Sequence, residues 1–95
     1  MNILEIRHIE DCLDGTVIKE IHLDISLQKS HILALGKTGD LAYYPDFARP
    51  FFTLILPEKA KIKGVEGNRM IRVLYYHSAH QEVETFLLSQ LMTLP

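Results

Sequence analysis

The side chains that could do chemistry in this chain are few, and most stand in company that argues against it. Cys12 is the single thiol. A nucleophilic cysteine needs a lowered pKa, whereas the neighbours Glu10, Asp11 and Asp14 are acidic and oppose thiolate formation. His77 and His80 stand three apart, a spacing at which two imidazoles on one helical face reach a common metal. Such a site needs one or two further ligands, and nothing in the sequence brings Cys12 or His8 to them. Two surface histidines are the simpler account. Gly36-Lys37-Thr38 resembles the end of a phosphate-binding loop, but the position five residues before Gly36 is His31 rather than glycine. The tripeptide also follows an expected helix, whereas a phosphate loop precedes one. No G-x-S-x-G, H-E-x-x-H or C-x-x-C pattern occurs. No catalytic residue, metal ligand or cofactor is therefore expected. An enzyme, with a pocket near Tyr43, Tyr44, Asp46, Arg49 and histidines, is a minor alternative.

Two features point instead to binding. Residues 43–52 hold Tyr43, Tyr44, Phe47, Phe51 and Phe52, five of the chain's eight aromatics, with Pro45 and Pro50 stiffening the segment. Aromatic side chains offer large contact area at low entropic cost, which suits recognition as well as it suits core anchoring. The second feature is charge segregation. Residues 1–24 carry six acids and two bases, a net of −4, while residues 59–72 carry five bases and one acid, a net of +4. Tyr43, Tyr44, Phe47, Arg49, Phe51, Lys61, Lys63 and Arg72 are the candidate interaction residues. The leading expectation is a protein-interaction or self-associating module, with a homodimer through the complementary halves as one form of it. The alternative is a small-ligand or nucleic-acid module using the basic face of residues 51–76.

Composition bounds these readings. Ninety-five residues with 47% hydrophobic and 23% charged side chains make one globular domain with a modest core. The net charge of −2 gives no global attraction to nucleic acid or anionic lipid. One cysteine, no basic-then-apolar leader and no apolar run near 18 residues point to the reducing cytoplasm, with no membrane partner.

The elements that must position the candidates follow from hydrophobic period. Residues 2–9 and 16–25 alternate as strands, joined by a loop ending in Asp14-Gly15, and are expected to form an antiparallel hairpin. Ser26 is the expected N-cap of a helix over 27–35, with Gly36 in the left-handed position beyond it. Residues 41–50, with two prolines, are expected to be irregular. From Phe51 the two-residue period returns through 76. A Pro57–Lys59 turn pairs Leu56 with Ala60 and Phe52 with Gly64; a Gly67–Asn68 turn pairs Gly64 with Ile71 and Ala60 with Tyr75. Ser78 to Gln81 reads as a capping box for a last helix with Val83, Phe86, Leu87 and Leu91 on its apolar face. The expected fold is α+β: two layers, a mostly antiparallel five-stranded sheet and two helices, in the order ββαβββα. Its outer face would carry Phe51, Ile55, Val65, Met70 and Leu74 beside Lys61, Lys63 and Arg72, too apolar for plain solvent surface.

Overall fold

The computed structural model describes residues 1–76 and 80–95. The chain runs β1 (Ile3–Asp11), β2 (Val17–Leu23), α1 (Lys29–Gly36), β3 (Asp40–Tyr44), β4 (Phe51–Leu56), β5 (Ala60–Val65), β6 (Met70–Tyr75) and α2 (His80–Met92). The strands form one open antiparallel sheet in the order β1-β2-β6-β5-β4-β3. The α+β class and the antiparallel sheet with two helices are as the period implies. The sheet has six strands rather than five, because Asp40–Tyr44 is a strand pairing with β4. Its prolines do not break it: Pro45 follows the last strand residue, and β3 lies at the sheet edge, where a proline beside the strand costs no ladder bond.

The registers of the central meander are those that the hydrophobic parity requires. Leu56 faces Ala60, Leu54 faces Ile62 and Phe52 faces Gly64 across β4 and β5. Ala60 faces Tyr75, Ile62 faces Val73 and Gly64 faces Ile71 across β5 and β6. A slip by one residue would expose each of these side chains. The β1–β2 hairpin forms as expected, with irregularities between Ile3 and Glu5 and between His8 and Glu10. Such bulges bend an edge strand and interrupt the row of free backbone groups that would otherwise invite aggregation.

All the buried strand residues share one parity. Ile21, Phe52, Leu54, Leu56, Ala60, Ile62, Ile71, Val73 and Tyr75 point to one side, where they meet Ile32 and Leu35 of α1 and Val83, Leu87 and Leu91 of α2 in a single cluster. Both helices therefore cover the same face. Phe86, expected on the buried stripe of α2, is 45% exposed. The predicted capping box includes Ser78 and Ala79, and the H-x-x-H pair includes His77; these three lie outside the described residues.

Helix α1 starts later than the sequence implies. Gln28, not Ser26, is its N-cap, and Leu27 is buried before the helix begins. His31 takes the reciprocal role in the cap: its Nδ1 accepts the Gln28 backbone N–H at 3.0 Å. Its Nε2 donates to the Pro95 backbone oxygen at 2.8 Å, which ties the chain's last residues to the start of α1. Gly36 is the last residue of α1 and is not left-handed. Its missing side chain serves space: a Cβ there would come within 2.5 Å of the Leu41 side chain.

Candidate functional site

With both helices on one side, no layer among the described residues covers the opposite side of the sheet. The register lays out its side chains in three rows across the strands. One row runs His22, Met70, Val65, Phe51, Tyr44. The middle row runs Glu20, Arg72, Lys63, Thr53, Ala42. The third runs Ile18, Leu74, Lys61, Ile55, Asp40. A charged row is thus held between two largely apolar ones. Ile18, Phe51, Val65, Met70 and Leu74 are half-buried here only by their neighbours, and Ile55 and Tyr44 are exposed.

The proline-flanked segment between β3 and β4 folds its rings onto this face. Tyr44 and Phe51 stack with centroids 4.8 Å apart and planes at 23°. Phe47 packs on both, at 5.2 Å from Phe51 and edge-on to Tyr44 at 6.2 Å, yet remains 58% exposed. Adjacent residues in a strand point to opposite sides. Phe52 accordingly enters the core while Phe51 stays outside, as the sequence requires of such a pair. Arg49 anchors the segment by donating from its guanidinium to Asn68 Oδ1 at 3.0 Å.

The cations of the middle of the face differ in their partners. Arg72 donates to Glu20 Oε2 at 2.8 Å. That hydrogen bond, with a smaller contribution from the His22 hydrogen bond and the Arg72 charge, outweighs the opposing effect of burial and holds the Glu20 carboxyl below its ordinary range. Among the described residues neither Lys61 nor Lys63 has a carboxylate within ion-pair distance. A groove of about 420 Å³ runs between Phe51, Thr53, Lys63, Val65, Met70 and Arg72. A second depression of about 240 Å³ continues from it past Lys61 to Ile18 and Leu74.

Seven of the eight candidate residues lie on this face or in the segment bordering it. Tyr43 does not: it points to the helix-covered side, packs against the core and donates its hydroxyl to Glu66. That hydrogen bond, burial and the Glu66 charge together push its pKa up. Tyr43 and Tyr44 are therefore on opposite sides of the sheet, so the pocket of Tyr43, Tyr44, Asp46 and Arg49 does not assemble as a convergent site. Ile18 and Glu20 of β2 belong to the face but were not legible as such, since pairing of β2 with β6 is a long-range choice of strand order.

The other chemical candidates take structural places. Thr38 donates its hydroxyl to the Leu35 carbonyl at 2.7 Å, so Gly36-Lys37-Thr38 is the end of α1 and not a phosphate loop. Cys12 lies in the β1–β2 turn with its Sγ 3.5 Å from Glu10 Oε2. Among the described residues no group of three His, Cys, Asp or Glu side chains is placed to hold a metal ion. No helix among them is long and apolar enough to cross a membrane. Searches of family models, of curated proteins and of solved structures return no match to this chain.

Proposed function

We propose that this protein is a non-enzymatic interaction module that docks a protein partner on the uncovered face of its sheet. One observation carries the reading. A six-stranded sheet has both of its helices on one side, and the other side presents Tyr44, Phe47, Phe51 and Ile55 around a groove rimmed by Lys63 and Arg72. Apolar side chains clustered on an uncovered face and rimmed by charge are characteristic of protein-docking surfaces. Enzyme pockets instead bring polar groups together in a concave site, and the titratable side chains of this face lie spread along strands.

Side-chain oxidative footprinting inside cells that express the protein tests the reading, with the purified protein diluted until it is monomeric as reference. Protection of Phe47, Phe51 and Met70 in the cell, with the exposed Phe86 of α2 as the control in the same sample, is the expected result. Equal labelling of the face in both samples overturns it.

Lys61 and Lys63, which have no carboxylate partner among the described residues, favour a second reading, a single-stranded nucleic-acid platform. The rings weigh against it: Tyr44 and Phe51 use one face each on one another, and Phe47 packs against both, so the cluster is spent largely on itself. Oligonucleotide binding that weakens steeply with salt would support this reading; no binding at low salt dismisses it.

A further inference from the structure

Among the described residues the most exposed large hydrophobic is Leu13, at the tip of the β1–β2 hairpin, with a relative exposure of 109%. The turn that carries it is firmly held. Cys12 N–H donates to the Thr16 carbonyl at 2.8 Å and Gly15 N–H to the Cys12 carbonyl at 3.1 Å. Asp14 Oδ1 accepts both the backbone N–H and the hydroxyl of Thr16, at 3.1 and 2.7 Å. Gly15 supplies the positive φ of +90° that such a three-residue hairpin loop needs. Leu13 is thus presented as a pre-ordered apolar knob, and a pre-ordered contact loses little entropy on binding. Glu10 and Asp11 flank it, and no lysine or arginine lies between Arg7 and Lys19.

The uncovered face has the complementary character: an apolar groove between Phe51, Val65 and Met70, with Lys63 and Arg72 on it and Lys61 beside it. Of the acids in residues 1–24, Glu10, Asp11 and Asp14 stand at the tip, whereas Glu20 lies on the face itself and is bonded to Arg72, so the cations a second tip would meet are Lys61 and Lys63. We propose that the partner is a second copy of this chain. Its hairpin tip lays Leu13 in the groove and brings Glu10 and Asp11 to Lys61 and Lys63. A two-fold axis makes the contact reciprocal and closes it as a dimer. This inference rests on the docking role of the face and names its occupant.

Sedimentation velocity of the purified protein, from low micromolar to about 1 mM and at low and high salt, reads the association directly. The expected result is a reversible dimer that weakens as salt rises. Leu13→Ser should weaken it by about a hundredfold or more, because the reciprocal dimer buries two leucine side chains, each worth at least about tenfold. Because Leu13 touches nothing that a fold depends on, this variant folds as the parent does, and circular dichroism checks that it does so. Lys61→Glu with Lys63→Glu, and Glu10→Lys with Asp11→Lys, should each give a monomer alone. Mixed together, the two double variants should form a heterodimer, since each tip then meets an opposite charge on the other's face.

A strict monomer at every concentration and low salt overturns the inference, and so does a dimer indifferent to Leu13 and to both charge reversals. Salt-sensitive oligonucleotide binding by a monomer, lost in the Lys61/Lys63 variant, also overturns it and assigns the face to nucleic acid. None of these outcomes touches the footprinting result, which reports cover of the face whatever the partner. The two claims therefore fail separately.

Discussion

The ring of Phe52 lies where a side chain on Gly64 would be. The two residues face each other across β4 and β5 on the helix-covered side, and a Cβ on Gly64 would approach Phe52 Cε1 to 2.5 Å. Phe52 is 1% exposed and hemmed in by the core, so it cannot swing away. Gly64 is a strand glycine whose role is steric. Gly64→Ala should destabilise the protein by about 1–3 kcal/mol, the usual cost of overpacking a filled core. Urea denaturation of parent and variant measures it; an unchanged midpoint would show that the ring has room to move.

The Leu56–Lys59 turn holds a residue in a conformation its side chain disfavours. Lys59 N–H donates to the Leu56 carbonyl at 2.9 Å, Pro57 occupies the first central position and Glu58 the second, with φ at +62°. Proline followed by a positive φ is the type II pattern, which favours glycine or asparagine at the second position. Glu58→Gly should therefore raise stability, by up to about 1 kcal/mol after the added freedom of the unfolded chain is offset. The same denaturation experiment reads the sign.

Parts of this architecture were legible because they follow from local parity. The Phe52–Gly64 and Ile62–Val73 registers follow from where the two turns can close, since a one-residue slip turns the apolar set outward. Strand β3 was not legible, because Pro45 and Pro50 dominate the composition of residues 41–50 although the strand ends at Tyr44. The start of α1 was missed for a related reason. Ser26 is a good cap by residue type, but Leu27 is held to the 67–68 turn by two backbone hydrogen bonds, and the helix can begin only beyond it. For the candidate site, the alternation of Lys61, Lys63 and Arg72 with apolar residues announced the outer face. Which strand flanks β6, and hence the Glu20–Arg72 pair, depends on long-range order that period alone does not encode.

Two tyrosines should ionise late. Burial, and to a smaller extent the nearby Glu84 carboxylate, push the Tyr75 hydroxyl well above its ordinary value of 10.0. For Tyr43 the hydrogen bond to Glu66 leads, with burial and the Glu66 charge adding to it. A raised folded-state value means that the stabilising contribution is complete below the unfolded value near 10 and is lost as pH rises through the folded one. Ultraviolet absorbance titration of the native protein should show two tyrosines lagging, one of them lost in Tyr43→Phe and the other in Tyr75→Phe. The two variants should differ in stability. Tyr75 is fully buried and its hydroxyl has no partner among the described residues. Removing an unpaired buried hydroxyl relieves a cost of about 1–3 kcal/mol, so Tyr75→Phe should be neutral or stabilising. Tyr43→Phe removes a made hydrogen bond and leaves Glu66 without that donor, so it should destabilise.

At the acid end the governing groups are Glu20 and Asp24. The Arg72 hydrogen bond is the largest influence that lowers Glu20, against a smaller opposing effect of burial. For Asp24 it is the Asn2 backbone N–H, donating to Oδ1 at 2.8 Å, with the Asn2 side-chain amide on Oδ2 at 3.1 Å. Both folded-state values are depressed, so each carboxylate stabilises the fold above its unfolded value, 4.5 for Glu20 and 3.8 for Asp24, and the contribution is lost as pH falls through the folded value. Stability should therefore begin to decline below about pH 4.5. Glu20→Gln should flatten the upper part of that decline and Asp24→Asn the lower part. Both residues are in contact with solvent, so salt should reduce the Glu20 effect, which involves a full charge pair, more than the Asp24 effect, which rests mainly on a backbone donor. Thermal denaturation across this pH range, at low and high salt, separates the two. If Glu20→Gln left both the acid slope and its salt dependence unchanged, the Glu20–Arg72 bridge would contribute nothing to the folded state in solution.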